Sequence, residues 1–341
     1  MGETRKDAAR GRLRTWSALG ELGRTPTEYE IVTHAMNHTT TRPLPLEMGP
    51  DTFGNRYLRR HRDEAATSVP DWNRFRDPDE MTYRKYNRVQ DEAETFVDRV
   101  LDEYADRRRT DLDHAPEWLD GLQAMLTPQR FAVHGLQMSA AYLAQIAPAS
   151  YIGNAAAFQT GDELRRVQRL AQRTLQLRLA HPERAFGKKD RERWERDRDW
   201  QGARRAIERI FVARDWDEAF VALNLVVKPA FDAVFLAGLS ALARRHGDEV
   251  DALFLENLLA DSQRSARWSR ALARFAVDQR PDNRTALRLH LAAWRPLGDE
   301  LIAGGSTLLA RFGSVGDEGA VARGALDALA AEAGVGWGRS P

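Results

Sequence analysis

The chain lacks cysteine altogether and has only five lysines (Lys6, Lys85, Lys188, Lys189 and Lys228) among its 51 basic residues. Without cysteine there can be no disulfide, thiolate zinc site, cysteine-ligated iron–sulfur cluster or cysteine nucleophile. A surplus of one charge sign is also missing: 51 Lys and Arg face 50 Asp and Glu, a net charge of +1, which gives no basic field for nucleic acid or an anionic membrane. Residues 1–12 are polar and charged with no apolar segment, so no secretory signal is expected and the cytoplasm is the expected compartment. The longest apolar stretch, Val221 to Ala243, is interrupted by Asn224, Lys228 and Asp232 and reads as a buried helix, not a membrane span. No P-loop, dinucleotide Gly-x-Gly-x-x-Gly or Gly-x-Ser-x-Gly elbow occurs.

What is there is an apolar fraction of 43% in 341 residues, enough for a large core, patterned almost entirely at helical spacing. Asp77-Pro78 predicts a helix to about Arg109, and Thr127-Pro128 starts another that stops near Pro148. Further helices are expected from Ser150 to Ala180, after Asp215, after Gly247-Asp248 and after Pro281, with a weaker one over Val315–Gly334. Glu183 to Asp199 reads as a solvated helix or loop. No strand pattern and no internal repeat is visible, so the fold class is all-α.

Between Gly23 and Asp77 the helical pattern fails. Five prolines punctuate this segment, yet it keeps Tyr29, Ile31, Val32, Phe53 and Tyr57, too many large apolar residues for a linker. Two readings stand: an arm packed on the chain's own helices, or one lying partly on a partner subunit.

Several long helices suggest a ferritin-like bundle, whose metal chemistry needs Glu-x-x-His on two helices and one further carboxylate on each of two others. None of the eight histidines completes that motif. Asp111-x-x-His114 comes nearest and reads as a surface helix end, while His134 reads as a hydrogen-bonded core histidine. From Gly121 to Gly161 there is no Asp or Glu at all. Asn224, Lys228 and Asp232, four apart, form a polar stripe on an apolar helix, either facing solvent or buried as an ion pair, and Pro229 should kink that helix.

A set of short segments resembles the β subunit of the hydroxylase component of bacterial multicomponent di-iron monooxygenases, in the toluene and alkene branch. They are Arg14-Thr-Trp-Ser17, Pro26-Thr-Glu-Tyr-Glu-Ile-Val32, Leu136-Gln-Met-Ser-Ala-Ala-Tyr142, Ala147-Pro-Ala-Ser150, Trp200-Gln-Gly202, Leu223-Asn-Leu-Val-Val-Lys-Pro229, Arg267-Trp-Ser269 and Trp294-Arg-Pro-Leu297. The resemblance implies a ferritin-like (ribonucleotide-reductase-like) bundle over 78–312, a disordered tail over 1–13, a partner-contacting arm over 14–77 and a weakly helical tail over 313–341. It also implies a vacated metal site. Asp162-Glu163-Leu164-Arg165-Arg166 is similar to the α subunit's Asp-Glu-x-Arg-His with Arg166 in place of the histidine, and Ser262 and Ser265 stand at the second such motif. Lys228 and Val133 take the places of the lone helical carboxylates.

By this resemblance the chain carries no catalytic residue, metal or cofactor. The di-iron centre sits on an α subunit, and NADH, FAD and a 2Fe–2S cluster belong to a reductase. The expected assembly is (αβ)2, or (αβγ)2 with a γ subunit, visited by a regulatory protein and a reductase or ferredoxin. Trp16, Tyr29, Ile31, Val32, Phe53 and Tyr57 are the expected interface residues. A helical adaptor without an enzyme partner and a divergent di-iron oxidase are the alternatives.

Overall fold

A computed structural model describes residues 19, 22, 24–37, 40, 51–107, 111–313 and 316–336. Among the described residues there are helices and turns and no strand. Two short helices come first, α1 (Glu28–Thr33) and α2 (Phe53–Leu58), the second continuing into a π-helical turn, Arg59–Asp63. Thr27 and Glu30 close a capping box on α1. The bundle then follows: α3 (Tyr83–Arg107), α4 (Pro116–Met125), α5 (Gln129–Ile146), α6 (Ser150–Ala180), α7 (Asp190–Arg196) and α8 (Gln201–Ile210). It is completed by α9 (Trp216–Arg245), α10 (Glu249–Gln279), α11 (Asn283–Arg311) and α12 (Glu318–Glu332).

Helix α3 starts later than its Asp77-Pro78 signal predicts. The Asp77 carboxylate accepts from the backbone N–H of Asp79 (3.0 Å) and Met81 (3.2 Å), so it caps a turn, and Glu80 at φ 41° breaks the helical path. The Thr82 hydroxyl, accepting from Lys85 N–H at 3.2 Å, caps the helix instead. The charge-rich 183–199 stretch is more than a solvated loop, because Phe186, Asp190 and Trp194 are buried in it. The final segment is also more than a tail: α12 is capped by Asp317 and buries Ala322, Leu326 and Leu329.

Helix α9 is the centre of the bundle. It is long and apolar enough to cross a membrane, but 89% of its apolar window is buried against the surrounding helices. Its polar stripe is therefore internal: Asn224, Lys228 and Asp232 are all buried. The predicted kink at Pro229 is met by π-helical stretches on either side, Val221–Val227 and Ala233–Gly238. There the Lys228 N–H reaches back to the Leu223 carbonyl, five residues away, so the hydrogen bonds are re-registered around a residue that cannot donate.

Several residues in the described part of the 14–77 segment pack on the chain's own helices. Tyr29, expected at a partner interface, is 2% exposed, with its ring centroid 5.4 Å from that of Tyr151. Trp72 meets Trp216 edge-on at 4.9 Å, and the Asp217 carboxylate accepts from Thr67 N–H at 2.7 Å.

Candidate functional site

The candidate site lies where α6, α9 and α10 face one another. Glu163 projects inward from α6, Lys228 and Asp232 from α9, and Ser262 from α10, all buried. The Lys228 ammonium is held by three oxygens: Glu163 Oε1 at 2.6 Å, Asp232 Oδ2 at 2.7 Å and Ser262 Oγ at 3.1 Å. Arg166, one turn beyond Glu163 on α6, donates to Asp232 Oδ1 (2.6 Å) and to Gln129 Oε1 on α5 (3.0 Å). Burial works to discharge Lys228, but Asp232 and Glu163 outweigh it and raise its pKa above the ordinary lysine value. For Asp232 the signs reverse: against burial, Lys228 and Arg166 hold its carboxyl below the usual range.

A second buried network borders the first. Asp162 and Asp261 share the guanidinium of Arg264 (2.6 and 2.8 Å), and Arg165 joins Asp261 (2.7 Å) to Glu94 of α3 (2.5 Å). Burial, and then the neighbouring Asp261 charge, push the Asp162 carboxyl up to about 7. Asp162, Arg264, Ser265 and Trp268 also line a cavity of about 10 Å³, the size of one water. At the far end of α6, Arg173 grips Asp251 and Asp111, with His114 3.7 Å from Asp111 and 3.5 Å from Asp248. The Asp111–His114 pair is thus a largely buried cluster, not the surface helix end that its proline-flanked position suggests.

The structure gathers Glu163, Arg166, Lys228 and Ser262 in one place and leaves two expected members aside. Ser265 turns its hydroxyl to the Asp261 carbonyl on its own helix (3.4 Å), and Val133 is a fully buried apolar residue of α5. Arg166, standing where a ligating histidine would be, pairs with Asp232 instead, its guanidinium reaching across to α9. Gln129, which carries the far side of Arg166, has no local signal in the sequence beyond its place at the start of α5. His134 is exposed and not a core histidine. Among the described residues no group of three or more His, Asp or Glu is placed to hold a metal ion. The donor set here does not suit one: an ammonium stands between the two carboxylates and a guanidinium backs Asp232.

Residues 51–280 match the family model described as methane/phenol/alkene hydroxylase. The chain is also 37% identical over 288 residues, 84% of this chain and 88% of the relative, to the hydroxylase component subunit beta of the toluene-4-monooxygenase system of Ectopseudomonas mendocina. It belongs to the methane/phenol/alkene hydroxylase family. A more distant member, the hydroxylase component small subunit of propane 2-monooxygenase from Gordonia sp. (strain TY-5), is 28% identical over 238 residues, 68% of this chain and 64% of the relative. A solved structure of toluene 4-monooxygenase with toluene in its resting active site superposes with a TM-score of 0.83 at 36% identity, covering 88% of this chain and 99% of the matched one. The all-α, ferritin-like expectation is therefore correct for this member of the hydroxylase family. Of the arm residues expected at an interface, Ile31, Val32 and Phe53 are exposed and Tyr57 is half-buried, its hydroxyl 2.8 Å from that of Tyr142; Trp16 lies outside the described residues.

Proposed function

We propose that this chain is the non-catalytic, structural β subunit of the hydroxylase of a multicomponent di-iron monooxygenase. The assembly inserts one oxygen atom of O2 into an aromatic such as toluene or an alkene such as isoprene or propene. In this reading a larger α subunit carries the di-iron centre, in an (αβ)2 or (αβγ)2 complex in the cytoplasm. An NADH-dependent reductase, directly or through a ferredoxin, supplies electrons, and a regulatory protein attends.

The observation that supports it is the Lys228 ammonium at the focus of Glu163, Asp232 and Ser262. Carboxylates turned inward from separate helices are the layout of a bundle metal site, and here a covalently tethered cation takes the centre. Glu163 Oε2 is buried without a hydrogen-bond partner, and so is Arg166 Nε. A cluster laid out for stability alone would satisfy both, since an unmet buried polar atom costs about 1–3 kcal/mol. Val133, Ser262 and Ser265 complete the proposed vestige as the residues standing where ligands are gone.

The test is metal analysis of the purified chain, alone and co-purified with its larger partner. The expected result is iron only in the complex; about two irons per chain on the isolated protein, by elemental analysis, would overturn the proposal.

A further inference from the structure

Helix α6 is inside out. Six of its seven charged residues, Asp162, Glu163, Arg165, Arg166, Arg169 and Arg173, are buried, leaving only Arg178 outside. Its solvent side presents Ala157, Leu164, Gln168, Ala171, Leu175 and Leu179, with Leu164 46% and Leu179 71% exposed. From Leu164 onward these positions recur three or four residues apart, and Ala157 lies seven before it, the spacing of a helix-packing seam. A surface helix of a protein with 30% charged residues normally carries its charge outward.

Helix α5 continues the neutral face. It runs antiparallel to α6, with the Ala144 carbonyl close against Gly153, and Arg130 is its only formally charged residue. Met138 is 43% exposed on it, and beyond Tyr142 an apolar groove of about 380 Å³ leads to Phe53 and Tyr57 of α2. On the other flank the outward positions of α3, among them Arg88, Asp91 and Glu92, are charged and bound the face.

We infer that the outward face of the α5–α6 hairpin is the seat of the α hydroxylase subunit, which lays an uncharged helix pair of its own along it. The inference rests on the β-subunit reading above. Charge complementarity sets the chemistry of the occupant: Arg178 is the one exposed charge that α6 brings to this face, so burying a partner's Lys, Asp or Glu elsewhere on it costs several kcal/mol and the matching surface is mostly neutral and apolar. The area suits a lasting complex. Two helices of these lengths present roughly 700 Å², close to the ~800 Å² per partner of a standard stable interface before the α2 groove is added.

The test is co-expression of the tagged chain with its α hydroxylase subunit, comparing wild type, Leu164→Glu and, as a charged-flank control, Glu92→Lys. Leu164→Glu is expected to lower recovery of the α subunit by about ten-fold or more, while Glu92→Lys retains it. Circular dichroism and the Tm of the isolated Leu164→Glu chain should match wild type, since the side chain replaced is on the surface. Undiminished recovery with Leu164→Glu overturns the inference. So does a wild-type chain that dimerises alone and is made monomeric by Leu164→Glu, which would give the face to a second copy. If even the wild-type chain recovers no α subunit, it is the β-subunit reading itself that fails.

Discussion

Lys228 is where the chemistry of single residues has the largest consequence. Its ammonium satisfies two buried carboxylates at once, so Lys228→Ala leaves Glu163 unpaired and Asp232 dependent on Arg166 alone. Loss of about 3–5 kcal/mol of unfolding free energy is expected in urea titration, and a change below about 0.5 kcal/mol would contradict the buried pairing. Asp162 gives a pH signature. Its folded-state pKa is raised from the ordinary 3.8 to about 7, so the folded protein keeps a proton that the unfolded chain releases. The stability from this group is full below about pH 4 and is lost as the pH rises through about 7. Asp162→Asn should therefore gain stability relative to wild type as the pH rises from 4 to 8, by parallel denaturation curves; a constant offset would refute the raised pKa. Partners four residues apart, as Lys228 and Asp232 are, could be read from the sequence. Arg166 to Asp232 and Gln129 could not, because a long side chain chooses among helices far apart in the chain, and the same ignorance of neighbours misplaced His114 and His134.

At the level of helices, starts and stops were readable wherever proline or a capping residue acts on its own backbone, as at Ser150–Ala180 and after Asp248 and Pro281. Asp77 misled because the same carboxylate caps either a helix or a turn, and only Glu80 in the left-handed region decides which. The π-helical stretches around Pro229 were beyond the hydrophobic period, which sees side chains and not hydrogen-bond register. Gly304-Gly305-Ser306 and Trp200-Gln-Gly202 find a physical account in helix crossing. A Cβ on Gly202 would lie 2.4 Å from the Glu300 carbonyl oxygen, and one on Gly304 2.3 Å from that of Asp199, so α11 touches the chain around α8 backbone to backbone. Gly202→Ala and Gly304→Ala are each expected to cost about 1–3 kcal/mol despite the better helix propensity of alanine. A thermal melt at wild-type Tm for either would show that the two segments can part without penalty.

Over the whole molecule, the all-α class and the family were legible, whereas the inversion of α6 was not: its charges are spaced like those of any solvated helix, and only burial shows which way they face. A protein with a neutral outer hairpin and exposed Phe53 and Ile31 gains stability from whatever covers them. Adding α subunit at about 100 times its Kd should stabilise the chain by about 2.7 kcal/mol, seen as a concentration-dependent rise in Tm, and a Tm indifferent to the partner would argue against the complex. The burial of α9 also has a history in time. As the chain leaves the ribosome, a segment as apolar as a membrane span emerges at residues 216–245, while α10, α11 and α12, which wall it in, do not yet exist. At about 5–20 residues per second, that core helix waits several seconds or more for its cover. During that interval the nascent chain is as sticky as it will ever be, and the speed of translation through its last quarter becomes part of what decides how much protein folds.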